Sequence, residues 1–185
     1  MGTDPATNFR FREVYDSTFD DVRRFCLRRL PTADVNDAVS EVYLVAWRRL
    51  EQVPAGVEAL PWLYGVARNV VRRTQRSGRR RIRLAAKAAT QPETNASDPQ
   101  EGYARVSMST TVVGALEQLS GSDQEIVRLR AWEELTAPAI ATTLGCSLAA
   151  AEKRIARAFS RLESHLQSDA AAAPPGGVVE EGRSA

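Results

Sequence analysis

Apolar side chains along this chain recur every three or four residues, the period of helices rather than strands. The pattern predicts a first helix over about Phe9 to Leu30, with Phe11, Tyr15, Phe19, Val22 and Cys26 on one face and Pro31 as its stop. A second follows Thr32–Asp34 and runs to about Leu50, burying Val35, Val39, Val42, Ala46 and Leu50. The stretch Glu51 to Leu60 carries Pro54 and Gly56 and reads as a loop. A third helix opens near Pro61, whose missing N–H would be unpaired in a first turn anyway, and continues through Val66, Ala67, Val70 and Thr74.

Residues 88–102 are polar and proline-bearing with no apolar period, and are predicted as a linker. Helical patterning resumes at about Tyr103, breaks at Ser120–Ser122, Glu133–Leu135 and Gly145–Ser147, and ends near Gln167. Residues 1–8 and 168–185 are predicted to be disordered tails, the second for its Ala170–Ala173 run and Pro174-Pro175-Gly176-Gly177. The expectation is an all-α chain of two small helical domains, residues 9–87 and 103–167, on a flexible linker.

In the second domain Thr136 can cap a short helix over Ala137 to Leu144, with Pro138 in its first turn and Gly145 as the left-handed residue that ends it. Ser147 then caps a longer helix in which Leu148, Ala151, Ile155, Ala158, Phe159, Leu162 and Leu166 recur at helical spacing. Of these, Leu148, Ile155, Phe159 and Leu162 are expected in the core. Lys153, Arg157 and Arg161 occupy the opposite face, with Arg154 at its flank. This is a helix-turn-helix pattern whose second helix would fit a major groove. An ordinary helical hairpin with solvated cations has the same pattern.

Charge sharpens the picture once it is located. The net value of +2 divides into 17 Lys and Arg against 11 Asp and Glu in residues 1–95, and 8 against 12 in residues 96–185. Arg68 to Lys87 holds nine basic residues and no acid: Arg68, Arg72, Arg73, Arg76, Arg79, Arg80, Arg81, Arg83 and Lys87. Such a cluster suits a phosphate backbone, whose counterions it releases, or else is a solvated helix end. In the third helix Arg68, Asn69, Arg72, Arg73 and Arg76 oppose the buried stripe, and Trp62 and Tyr64 stand at its start. Aromatics beside cations can stack on unpaired bases, although a tryptophan placed like Trp62 is more often core than a stacking platform. Trp47 and Trp132 are expected in the core. On the second helix Asp34, Asp37 and Glu41 share a face with Leu44, Val45 and Arg48, either a partner surface or a solvated one.

Catalytic chemistry has little to work with. The two cysteines, Cys26 and Cys146, are far apart and read as small buried residues; the one histidine, His165, reads as a surface residue. That argues against a disulfide framework, a zinc site of ordinary spacing and histidine-based catalysis, and suits a reducing cytoplasm. Neither Asp37/Glu41 nor Glu133/Glu134 has the partners a metal site needs. No cofactor, metal or small-molecule substrate is expected. Met1 to Asn8 shows no secretory signal, and no apolar run approaches a membrane span.

Four strings, in order, resemble bacterial RNA polymerase sigma factors of the extracytoplasmic-function group. Asp34-Val-Asn-Asp-Ala-Val-Ser-Glu-Val-Tyr-Leu-Val-Ala-Trp47 is similar to the family's DAEDLVQETFLRAW, and Leu60-Pro-Trp-Leu-Tyr-Gly-Val-Ala-Arg-Asn69 to its WLFTIARN. Leu116-Glu-Gln-Leu with Gln124-Glu-Ile-Val, and Leu135-Thr-Ala-Pro-Ala-Ile-Ala to Leu144-Gly-Cys-Ser147, resemble its C-terminal domain. The resemblance implies a non-catalytic initiation subunit with a sigma domain 2 at 9–87 and a sigma domain 4 at 103–167. The face of Asp34, Asp37, Glu41, Leu44, Val45 and Arg48 would bind the coiled coil of the core polymerase β′ subunit, and domain 4 the β flap. The loop Glu51–Leu60 with Trp62, Tyr64, Arg68, Asn69, Arg72, Arg73 and Arg76 would trap a flipped base and grip the opened −10 strand. Ser147, Ala149, Ala150, Lys153, Arg154 and Arg157 would meet the −35 duplex. An anti-sigma factor would be a further partner. Where many relatives carry a Gly/Thr pair and then a cation, this chain has Ala149, Ala150 and Glu152, so the bases it reads are left open. Two rivals explain less. A dimeric repressor leaves the acidic face and the arginine run without a purpose, and a nuclease lacks convergent carboxylates.

Overall fold

The computed structural model describes residues 4–88 and 110–172. Apart from Ala88, the expected linker lies outside the described residues, as do the restart at Tyr103 and the tail beyond Ala172. Among the described residues there are seven α-helices and no strand: α1 Pro5–Leu27, α2 Thr32–Arg48, α3 Ala59–Ala88, α4 Thr110–Glu117, α5 Gly121–Ala131, α6 Ala137–Leu144 and α7 Leu148–Ala172. No helix here is long and apolar enough to cross a membrane.

The predicted stripes set the helices, and local chemistry adjusts their ends. Helix α1 begins at Pro5 rather than Phe9, because a proline in the first turn preorganises φ even where the next residues lack apolar period. It ends at Leu27, three residues before the predicted end at Leu30, and the chain tightens through bonds from Arg29 and Leu30 to the Cys26 carbonyl ahead of Pro31. The Glu51–Leu60 loop is two single 3₁₀ turns, Leu50–Gln52 and Gly56–Glu58, with Gly56 left-handed at φ 61°. Helix α3 starts at Ala59 and carries the basic run in helical form to Ala88. Helix α7 continues past Gln167 to Ala172, so the alanines read as tail propagate it.

Helices α1, α2 and α3 pack on one another around Val22, Phe25, Val42, Ala46 and Leu63, all essentially inaccessible. Burying each of these side chains except the small Ala46 contributes about 1.5–3 kcal/mol. Along one side of α1 runs an aromatic row. Phe11 meets Trp47 edge-on at 5.0 Å, and Tyr15 lies 4.6 Å from Tyr43, whose hydroxyl pairs with Thr18 at 2.9 Å. Trp47 is half-buried there instead of central, and Trp132 is likewise half-buried, packed at the edge of the C-terminal cluster.

In the C-terminal half α7 packs on α4, α5 and α6. Its innermost line is Ala151 and Ala158, both fully buried, with Ile155 and Leu162 half-buried beside them. Leu148 and Phe159, expected in the core, are 45% and 36% exposed. At about 100° per residue they stand roughly 60–80° around the helix from the alanine line, so small residues take the tight contact and the large ones flank it.

The two halves do not stand apart. Helix α3 packs against α6, and Leu129, Leu135, Ile140, Ala141 and Ala151 join one continuous buried cluster with the N-terminal core.

Candidate nucleic-acid interface

The helix-turn-helix is built by its caps. Thr136 Oγ1 accepts the Ala139 N–H at 3.4 Å, Gly145 ends α6 at φ 63° and ψ 43°, and Ser147 Oγ accepts the Ala150 N–H at 3.3 Å. Only glycine takes the left-handed corner at no steric cost, and that corner aims α7. The result leaves Ser147, Ala149, Lys153, Arg154 and Arg157 exposed and Ala150 half-buried, a short cationic face at the start of α7. Glu152 is exposed among them. Farther along, Arg161 pairs with Asp123 at 2.5 Å. Partial burial opposes ionisation of Asp123, but hydrogen bonds from Arg161 and Ser120 outweigh it and hold the carboxyl below its ordinary value.

On α3 the basic residues form a long row. Arg68, Arg72, Arg76, Arg79 and Arg83 recur at helical spacing over about 22 Å, and all but Arg68 are exposed. Arg68 is half-buried. Burial, then Arg72, pushes its guanidinium pKa down, and its Nε has no hydrogen-bond partner among the described residues. Asn69 is exposed and Trp62 half-buried. Tyr64 departs from expectation: it is 2% exposed and stacks on Phe25 with ring centres 4.9 Å apart. Burial raises its phenol pKa, and it supports α3 from beneath without facing a strand. Ahead of α3, Val57 is 91% exposed beside left-handed Gly56, an apolar loop tip that periodicity cannot reveal because it belongs to no helix.

The α2 face is partly as expected. Asp37, Leu44 and Arg48 are exposed, and Leu44 is 46% accessible. Asp34, Glu41 and Val45 are half-buried. Glu41 forms an ion pair with Arg73, which ties the acidic face to the cationic row on the neighbouring helix. Among the described residues no group of three or more His, Cys, Asp or Glu is placed to hold a metal ion. Glu133, read from sequence only as lacking metal partners, is instead paired with Arg28 and Arg29.

Residues 14–81 match the family model for Sigma-70 region 2, and residues 110–162 that for Sigma-70, region 4. The chain is 30% identical over 161 residues to the ECF RNA polymerase sigma factor SigL of Mycobacterium tuberculosis, covering 84% of this chain and 88% of that one. It is 29% identical over 143 residues to the RNA polymerase sigma factor NccH of Alcaligenes xylosoxydans xylosoxydans, covering 75% and 76%. The fold is also similar to that of the sigma factor RpoE from Bartonella quintana, solved with the anti-sigma factor NepR, at a TM-score of 0.57 and 20% identity over 86% of this chain and 98% of that one.

Proposed function

The chain belongs to the sigma-70 family of RNA polymerase sigma factors, in its extracytoplasmic-function group, and on that premise we propose how its two halves divide the work. It is an alternative sigma factor that directs promoter-specific transcription by RNA polymerase. The N-terminal domain, residues 9–87, opens and holds the −10 element, and the C-terminal domain, residues 103–167, reads the −35 duplex. What supports this most directly is the pair of separate cationic surfaces. A long row on α3 tracks one strand, and a short face at the start of a capped helix suits a groove.

On α3, Arg72, Arg73 and Arg76 hold phosphates, Asn69 lies beside them, and Trp62 with Val57 offers the apolar surface an unstacked base needs. Unstacking costs a few kcal/mol, which these contacts must offset. On α7, Lys153, Arg154 and Arg157 contact the duplex, while Ala149 and Ala150 suit thymine methyl groups and Ser147 caps the helix. The α2 face of Asp34, Asp37, Glu41, Leu44, Val45 and Arg48 docks on the β′ coiled coil, and the C-terminal domain on the β flap. The protein acts in the cytoplasm, without catalytic chemistry, cofactor or metal of its own, and an anti-sigma factor restrains it.

The test uses holoenzyme on promoter fragments with one element replaced at a time. Arg72→Ala should weaken binding to fragments that retain only the −10 element, and Arg154→Ala to those that retain only the −35 element. Equal losses on both fragments from either change would refute the division.

A further inference from the structure

One side chain on the outward side of α7 has no part in a purely cationic surface. Ala151 and Ala158 mark the buried line of this helix. At about 100° per residue, the line opposite them is Ala149, Lys153, Ala156 and Ser160, all exposed. Three of those four are small, so the backbone of α7 can lie close to the floor of a groove. Arg157 stands about 80° to one side of Ala149, and exposed Glu152 about 60° to the other. The outward line is therefore flanked by a cation on one side and a carboxylate on the other. Glu163 shares the second flank but lies about 16 Å farther along and accepts from Gln167 at 3.4 Å.

Local helix chemistry does not account for Glu152. Ser147 is the N-cap, its Oγ accepting the Ala150 N–H at 3.3 Å, so the acid of a capping box would stand at Ala150. An ion pair along the helix needs a cation three or four residues away, and those positions hold Leu148, Ala149, Ile155 and Ala156. Among the described residues the Glu152 carboxylate makes no ion pair or hydrogen bond. Near a phosphate backbone an unneutralised carboxylate works against affinity. It can still discriminate between bases. An ionised carboxylate only accepts hydrogen bonds. In the major groove cytosine presents the N4 amine as a donor, guanine and thymine present acceptors, and the adenine N6 donor stands beside the N7 acceptor. Cytosine is the base that satisfies a carboxylate without opposing it.

We propose that Glu152 is a specificity-determining residue of α7, its carboxylate accepting from the N4 amine of one cytosine in the −35 duplex and penalising the other three bases there. It is the fifth residue of α7, in the stretch of a recognition helix that meets base edges. Selection by this group works mainly through rejection. Guanine, thymine and adenine each set an acceptor against it, and the phosphates repel it whichever base is present.

The inference rests on the reading of α7 as the −35 helix, and the experiment separates the two. Holoenzyme is bound to duplex promoter fragments with a fixed −10 element and a randomised −35 segment, and the retained fragments are sequenced. Wild-type protein is compared with Glu152→Ala, Glu152→Gln and Arg154→Ala. Wild type should favour cytosine at one position about tenfold. Glu152→Ala should erase that preference at that position alone, chiefly by raising retention of the disfavoured fragments. Glu152→Gln, nearly the same size, should move the preference to adenine, whose N6 and N7 an amide pairs with. Identical base preferences in wild type and both Glu152 variants would overturn the proposal, as would a uniform loss of binding across all sequences. If those preferences stay fixed while Arg154→Ala lowers −35 selectivity, α7 remains the −35 helix and only the role of Glu152 falls. A wild-type holoenzyme that selects no base in the −35 segment would overturn both.

Discussion

The two halves are stabilised differently. The N-terminal half is held by volume: Phe25, Leu30, Leu63 and Tyr43 are buried, and an aromatic row joins α1 to α2. The C-terminal half has a thin core of its own, Leu116, Leu119, Ile126, Val127 and Ala158, and depends on caps at Ser120, Thr136 and Ser147 and the corner at Gly145. Its remaining buried residues pack into the neighbour's cluster. A half held by volume can hold α3 rigidly while a strand is pulled open on it. A half held by corners sets the angle of one helix and can be lifted from its neighbour.

Several substitutions would break or sharpen that contrast, beginning with the largest effect. Asp37→Arg with Glu41→Arg should abolish co-purification with core polymerase, since it reverses the acidic face and removes the pair to Arg73; undiminished co-purification would place the docking surface elsewhere. Phe25→Ala should cost about 3–5 kcal/mol in urea unfolding and loosen both halves together, because Phe25 supports Tyr64 and the Arg29 guanidinium. Arg154→Ala should weaken −35 duplex binding by holoenzyme by about 1–3 kcal/mol and leave thermal unfolding unchanged. Thr136→Ala should lower stability by about 1 kcal/mol, an effect confined to the C-terminal half and visible as faster amide exchange in α6.

The smallest effect is alkaline. Burial pushes the Cys26 thiol from 9.0 up to about 11. Below pH 9 the thiol is neutral folded and unfolded, and its contribution to stability is complete. From about pH 9 to 11 the unfolded chain ionises first, so stability falls across that window. Cys26→Ser should flatten this fall.

How much of this was legible in the sequence follows from the range of the interactions. The stripes of α1 to α3 and the corner at Gly145 are local patterns, and they led to the correct elements. Leu148 and Phe159 fit the α7 stripe equally well, but only contact with the neighbouring helices decides that the alanines go innermost. Tyr64 sits among cations in sequence and against Phe25 in space. The contact between the halves is the least legible part, because Arg29 and Glu133 are 104 residues apart and neither shows a period or a motif that points to the other. Apart from half-buried Trp62 and Ala150, the residues proposed to touch DNA are exposed side chains, which periodicity locates on a face but does not pair with a ligand.

The most direct test is run-off transcription with core polymerase on a promoter library in which the −10 and −35 segments vary independently. The account predicts initiation at defined sites only when this chain is added, with Arg72→Ala altering dependence on the −10 segment and Arg154→Ala dependence on the −35 segment. Failure to start RNA at any defined site, or dependence on a single segment, would contradict it.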